Sequence, residues 1–406
     1  MLDEPAPLSV LIAECEVSSE FEKENRKFVP EGALAAVVSK DAIRGELEDD
    51  GTEWTEELDS LVDFIHSRAM KVFAIVVRYV GLESLQLRKA MQLFRDGPNG
   101  GFKDSYLPVE PPQLGKGHAL ALYDAKRKQG RPIWTFPRVS NFCTGQWNFL
   151  IPILHVATEN WYCHHFERAC ILPFTKRYEN ECERGALGQV HKYEIHPSHL
   201  VGPAGPVPCE FVAVKTMQRA NGGAATQAAV IRWEQEVSIL QRINCLRQDH
   251  FVRFYTAFQH GCRASGDYYI MFEWADGGNL LNLWRTDEPL TPRLVEAVVT
   301  QLRELAEALC EVHYPGEGPA VRHGDLKPAN ILWFRGKGNG DKVGTLKIGD
   351  WGFANQLVLD TELRHNRTLT EHGTRRYEPP EEETGLGVGL GPTTPGIGIL
   401  KAPGKR

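Results

Sequence analysis

The sequence predicts an α+β chain, and three observations carry that assignment. Alternating apolar segments at 211–215, 251–259 and 268–272 read as β-strands. The stretches 231–243 and 294–313 repeat apolar residues at three- and four-residue spacing, as amphipathic helices do. Residues 1–173 show neither pattern throughout and read as partly helical and partly irregular.

With 406 residues the chain has room for two or three domains, each able to bury a core. Hydrophobic residues at 42% and charged residues at 24% fit a soluble globular protein. A net charge of −7 argues against a general nucleic-acid binder, which needs a concentrated basic surface to displace counterions, and leaves room only for a local basic groove. The nine cysteines are odd in number and include no C-x-x-C pair, a pattern of reduced thiols. Cys163, His164, His165 and Cys170 resemble metal ligands, but their spacing matches no zinc pattern, so they are read as ordinary side chains. The start, Met-Leu-Asp-Glu-Pro, is not a secretory signal, and the most apolar run, 72–80, contains Arg78 and is too short to span a membrane. The expectation is a cytoplasmic or nuclear protein with no membrane or nucleic-acid partner.

An acid-rich segment, densest at 46–59, opens the chain and reads as a solvated face. Trp54, Leu58, Leu61, Val62 and Ile65 then fall at helical spacing, and the apolar pattern continues through Val80, which predicts a helix there. A second helix is predicted from Leu82 to Phe94, stopped by the Gly/Pro/Asn run at 96–101. The Pro-, Gly- and aromatic-rich stretch 108–145 reads as irregular packing, and 149–174 as buried. Nothing in residues 1–175 names a chemistry.

Chemistry enters at Glu183–Val190. Gly185 and Gly188 stand three apart, with Val190 beyond them, and glycines leave the backbone there open to close approach. The strand Phe211–Lys215 carries Ala213 and ends on a lysine. In the helix that follows, Glu236 shares a face with Ile239, Leu240 and Ile243 and points inward, whereas Glu234 shares one with Ser238 and Gln241 and reads as solvated. After the strand ending at Phe272, Glu273-Trp274-Ala275-Asp276-Gly277-Gly278 is a strand-to-helix turn. Thr291 is a candidate N-cap and Pro292 the first helical residue of a stripe running from Leu294 to His313.

Residues 321–332 read VRHGDLKPANIL, a polar turn with Asp325, Lys327 and Asn330 between apolar flanks. A hairpin at 335–344 returns through 346–348 to Gly349-Asp350-Trp351-Gly352, and Pro379-Pro380-Glu381 follows.

In this order and spacing the segments from 174 to 381 resemble a eukaryotic-type protein kinase domain. The resemblance implies a two-lobed fold with a small β-rich lobe at 174–272, a hinge at 273–278 and a partial helical large lobe at 279–381. It implies ATP and Mg²⁺ as cofactors. Gly185, Gly188, Val190 and Ala213 would line the nucleotide, Lys215 would contact its phosphates with Glu236 as partner, and backbone groups of Glu273 and Ala275 would hold the adenine beside Phe272. Asp325 would be the catalytic base, Lys327 would contact the γ-phosphate as in serine/threonine kinases, and Asn330 and Asp350 would hold metal. The implied function is a protein serine/threonine kinase. The alternative is a non-catalytic kinase-like module that binds nucleotide or acts as a scaffold. The first half loosely resembles leader regions of fungal kinase-domain proteins.

Four departures stand out. Glu183 replaces the first glycine of the phosphate loop, Trp351 replaces Phe of D-F-G, and Gly324 replaces Arg of H-R-D, which removes the basic group that reads a phosphorylated activation loop. After Glu381 a Gly/Pro-rich stretch, 382–406, reads as disordered, and the family's later large-lobe helices have no counterpart, so the helix at 291–313 is expected to lose part of its packing surface.

Overall fold

The structure, a computed structural model, describes residues 6–49, 53–97, 100–112, 120, 132–156, 163–185, 188–208, 210–217, 223–262, 266–286, 291–316, 318–336, 343–357 and 377. Three expectations fall outside these residues: the tip of the glycine loop, Pro379-Pro380-Glu381 and the stretch 382–406. The first part of the chain runs α1 (Leu8–Glu14), β1 (Val17–Ser19), β2 (Arg26–Phe28), α2 (Ala33–Val37), α3 (Lys40–Leu47), α4 (Glu56–Arg68), α5 (Met70–Ile75), α6 (Ser84–Arg95) and α7 (Phe136–Gly145). Then come β3 (Leu154–His155), β4 (Cys163–Phe166), β5 (Phe174–Gly185), β6 (Gly188–Ile195), β7 (Leu200–Gly202), β8 (Gly205–Pro206) and β9 (Phe211–Met217). The last part is α8 (Gly223–Cys245), β10 (Phe254–His260), β11 (Asp267–Glu273), α9 (Leu280–Trp284), α10 (Pro292–His313), β12 (Ala320–Arg322), β13 (Ile331–Phe334), β14 (Thr345–Ile348) and β15 (Asn355–Leu357).

These elements form two compact units. One comprises 1–154, 167–177 and 193–210, and the other 155–166, 178–192 and 211–406. In the first unit, helices α3 to α7 surround a core that includes Ile43, Leu47, Leu61, Ile65, Phe73, Phe94 and Phe142. The predicted helix through Val80 is broken. Ala69, at φ −133° and ψ 29°, ends α4, and α5 restarts with Asp104 accepting from the amides of Lys71 (3.0 Å) and Val72 (2.9 Å). A remote carboxylate at a helix start satisfies donors that the helix cannot, and sequence spacing does not reveal it. Part of the stretch expected to be irregular is helical too: α7 begins after Thr135, with Pro137 in its first turn.

Two distant segments complete this unit. The Arg26 guanidinium donates to the carbonyls of Ala169 (2.8 Å) and Cys170 (2.9 Å), and Ser19 Oγ donates to Leu172 O (2.7 Å). Phe21 stacks on Phe174 at 4.9 Å and meets Tyr193 at 5.5 Å. His199, fully buried, holds Pro152 O through Nδ1 (3.0 Å) and accepts the Glu31 amide at Nε2 (3.0 Å). These two bonds require the neutral ring with its proton on Nδ1.

The second unit is built on a six-stranded sheet of order β4-β10-β11-β9-β6-β5, to which β5 and β6 contribute residues 178–185 and 188–192. The edge strand β4 was not expected from sequence, and it runs parallel to β10 with Ala257 opposite Cys163. His164 and His165 are successive strand residues and so face opposite ways. His165 Nδ1 lies 2.8 Å from Gln259 Oε1. Among the described residues no three His, Cys, Asp or Glu side chains are grouped to hold a metal ion. Helix α8 packs Trp233, Val237, Leu240 and Ile243 into a core shared with Phe254, Ile270, Leu305, Val312 and Trp351.

Thr291 Oγ1 accepts the Leu294 amide (3.1 Å) and caps α10. The C-terminal half of α10 is buried through Leu305, Ala308 and Val312, whereas Val295 and Val299 near its start are 49% and 59% exposed. No helix among the described residues is long and apolar enough to cross a membrane.

Burial pushes His199 below the ordinary histidine range, so the unfolded chain takes up a proton on this ring at a higher pH than the folded one. Stability is therefore present above about pH 6.5 and lost as pH falls below it. The melting temperature of the native chain is expected to drop more steeply between pH 7 and 5 than that of His199→Gln. Parallel curves would show that the ring is not the titrating group.

Candidate active site

The site is built from two polar clusters in the second unit and the turns that join them. The first centres on Lys215 of β9. Phe211, Val212, Ala213 and Val214 make that strand apolar, and pairing with β11 sets Lys215 opposite Ile270 and Ala213 opposite Phe272. Lys215 Nζ lies 2.7 Å from Glu236 Oε1 and 2.8 Å from Asp350 Oδ1. Glu236 comes from the inward face of α8, where the neighbouring Glu234 is exposed. The Lys215 and Glu236 side chains are 7% and 1% exposed, whereas that of Asp350 is 33% exposed.

Burying one cation beside two anions is costly unless each charge is paired, and here the geometry supplies the pairs. Burial alone would push Lys215 down, but Glu236 and Asp350 outweigh it and hold the amine above the usual lysine range. Burial likewise favours a protonated Asp350, yet the charge and hydrogen bond of Lys215 hold it below the carboxylate range. Glu236 is pushed up by burial, against the pull of Lys215. Its second oxygen has no hydrogen-bond partner among the described residues.

The second cluster is the turn after β12. Lys327 Nζ donates to Asp325 Oδ2 at 2.6 Å. Asn330 Nδ2 donates to Asp325 O (2.8 Å) and Oδ2 (3.2 Å), which leaves the Asn330 amide oxygen as the atom suited to a cation. Asp325 and Asn330 are buried. The two clusters are tied through Gly349, whose amide donates to Asn330 O (2.9 Å) and whose carbonyl lies 2.9 Å from His323 Nε2. Burial pushes His323 down, so the ring is neutral: it donates from Nε2 and takes the Asp325 amide at Nδ1 (3.3 Å).

Asp350 adopts a left-handed conformation, φ 55° and ψ 71°, which aims its side chain at Lys215 while Trp351 turns into the core. Trp351 is 1% exposed and packs on His323 at 4.6 Å and Phe251 at 5.5 Å. Its indole N–H finds no acceptor among the described residues.

The remaining candidate residues frame these clusters. Gly185 ends β5 and Gly188 begins β6. A Cβ on Gly188 would lie 2.4 Å from Thr216 O, so glycine is required there by close strand packing, whatever ligand the loop takes. Val190 is half-buried and Ala213 and Ala275 are buried. The Glu273 amide donates to Arg253 O (3.1 Å), while its carboxylate accepts from the Arg253 amide and from Lys347 Nζ, each at 2.7 Å. The adenine assignment at Glu273 therefore rests on its carbonyl. The donor set fits both a metal ion and a nucleotide. Asn330 and Asp350 offer hard oxygens of the kind Mg²⁺ prefers, and Lys215 is a fixed cation suited to phosphate.

Residues 207–384 match the family described as the protein kinase domain. It is this segment, under half of the chain, that carries the likeness to the eukaryotic-type protein kinase superfamily. Among its relatives, serine/threonine-protein kinase ppk11 of Schizosaccharomyces pombe is 30% identical over 133 residues, 33% of this chain and 36% of that protein. Serine/threonine-protein kinase Nek2 of Homo sapiens is 32% identical over 165 residues, 39% of this chain and 33% of Nek2. Cyclin-dependent kinase 4 of Ovis aries is 29% identical over 184 residues, 44% of this chain and 53% of the kinase. The chain thus spans about a third to a half of the length of these curated relatives.

Two residues of the turns give different expectations for stability. Gly324 sits at φ +82°, and a Cβ there would lie 2.4 Å from Phe353 O. Gly324→Ala is expected to cost at least about 1–3 kcal/mol by denaturant unfolding, from strained backbone alone. For Trp351→Phe, loss of a donor with no partner offsets the smaller volume, and a change within about 1.5 kcal/mol is expected. A larger loss would show that the indole N–H is satisfied in solution.

Proposed function

We propose that the second unit binds Mg²⁺-ATP and transfers its γ-phosphoryl group to serine or threonine hydroxyls of a protein substrate. The observation that carries this reading is the placement of Lys215 between Glu236 and Asp350, 2.7 and 2.8 Å away, with Asp325, Lys327 and Asn330 gathered in one tethered turn. Protein kinase domains generally use ATP and protein substrates, and phosphoryl transfer draws mainly on positioning and charge neutralisation. In this reading Gly185, Gly188, Val190 and Ala213 surround the nucleotide, and Glu273 and Ala275 take the base through their backbones. Lys215 takes the phosphates, while Asn330 and Asp350 hold the metal, which shields charge on the phosphate oxygens when bound. Asp325 accepts the proton of the attacking hydroxyl, and Lys327 steadies the transferring group. The serine/threonine assignment draws on Lys327 and on relatives named as serine/threonine kinases.

A second reading has its own support. With Gly324 in the catalytic turn and an exposed apolar face at the start of α10, the unit could hold nucleotide without transferring phosphate.

Binding and transfer are separable by experiment. At a hundredfold excess over its dissociation constant, Mg²⁺-ATP should stabilise the fold by about 2.7 kcal/mol, visible as a raised melting temperature. Asp350→Asn should remove most of that shift, and an equal shift in both proteins would refute the site.

Radiolabelled transfer, with Asp325→Asn as the inactive control, should then yield phosphoserine or phosphothreonine. Phosphotyrosine as the main product would overturn the acceptor assignment, and binding without transfer would select the second reading.

A further inference from the structure

The proposed mechanism makes no use of Lys192 in the sheet. Lys192 of β6 places its ammonium 4.2 Å from the ring centroid of Phe211, 4.8 Å from that of Tyr178 and 5.1 Å from that of Trp274. Tyr178 and Phe211 meet edge to face at 5.8 Å, so the rings form walls around the cation and do not touch it singly by chance. The four residues come from β5, β6, β9 and the turn after β11. A lysine among three π faces is held by the quadrupole of each, and all the more firmly when partly desolvated, as here.

The position of this cage gives it meaning. Alternation along β6 puts Gly188, Val190 and Lys192 on one face, and along β9 it does the same for Phe211, Ala213 and Lys215. Lys192 lies over Phe211, while a Cβ on Gly188 would lie 3.6 Å from Lys215 Cγ, so the two neighbouring strands share that face end to end. It is the face that carries Val190, Ala213 and Lys215 of the proposed nucleotide site. The fourth wall, Trp274, stands between Glu273 and Ala275, the two residues whose backbones would take the base. Glu273 is already clamped through its carboxylate by the Arg253 amide and Lys347. Lys192 supplies a hold on the very next residue.

We infer that Lys192 is a positioning residue for the nucleotide base: its cation–π contact pins Trp274 to the sheet and so fixes the backbone of Glu273–Ala275. The inference rests on the nucleotide reading above. Because Lys192 acts through Trp274, only a cation at the end of the side chain is needed, and arginine can replace it.

The test is titration of the full chain with Mg²⁺ and a fluorescent N-methylanthraniloyl ATP, alongside melting curves. Lys192→Met, which keeps an unbranched apolar stem, should weaken binding by about threefold to tenfold, and Lys192→Arg should restore affinity to within about twofold of native. Trp274→Leu should weaken binding similarly, and adding Lys192→Met to it should have little further effect, because the two residues act through one contact. A lowered melting temperature with unchanged affinity in Lys192→Met would make the cage merely structural and overturn the inference. So would additive losses in the double variant. The failure of the underlying reading looks different. If the native chain does not bind the probe, both fall. If it binds and Asp350→Asn weakens it while Lys192→Met does not, only the inference falls.

Discussion

The interaction on which the second unit depends is the burial of one ammonium between two carboxylates. Lys215 leaves water almost completely, and nothing apolar around it can repay that loss. Only Glu236 from α8 and Asp350 from the turn after β14 can, and each must arrive within hydrogen-bonding distance. The requirement fixes the rotation of α8, because a turn of the helix by one residue would present Val237 in place of Glu236. It also fixes the left-handed backbone of Asp350, and with it the inward turn of Trp351. One charge thus dictates the orientation of a strand, a helix and a loop drawn from three distant parts of the chain.

The same economy appears in the turns. Gly349 gives its amide to Asn330 and its carbonyl to His323, so the turn of Asp325 and the turn of Asp350 are joined through backbone atoms. Strand β14 is held in turn by 250–252, where the Ile348 amide donates to His250 O and Ile348 O accepts from the Val252 amide. Side chains that must carry charge near one another are therefore mounted on main chain that cannot drift independently. Precise placement of this kind is what phosphoryl transfer asks of a protein.

Much of this was legible in the sequence, wherever the signal was local. Thr291 and Pro292 announced α10, and the inward face shared by Glu236, Ile239 and Leu240 separated it from Glu234. Where the determinant was distant, sequence spacing failed. The break at Ala69 depends on Asp104, thirty-odd residues away, and β4, Cys-His-His-Phe, shows no apolar alternation of its own but finds β10 as a partner. That 193–210 belongs with the first unit follows from contacts such as Phe21 with Tyr193 and Glu31 with His199, which no local pattern encodes. Gly188 pointed to a phosphate loop, yet its immediate constraint is the carbonyl of Thr216. The cage around Lys192 was invisible for the same reason: its four residues lie on four separate segments.

Gly324 bears on how such a chain can change over generations. The kinase turn that 321–332 resembles carries arginine at this place, yet here the backbone lies against the carbonyl of Phe353 in a conformation that side-chain-bearing residues resist. Any side chain placed here requires the segment after Asp350 to yield space first. A charged modification that relies on an arginine here therefore finds no such partner at position 324.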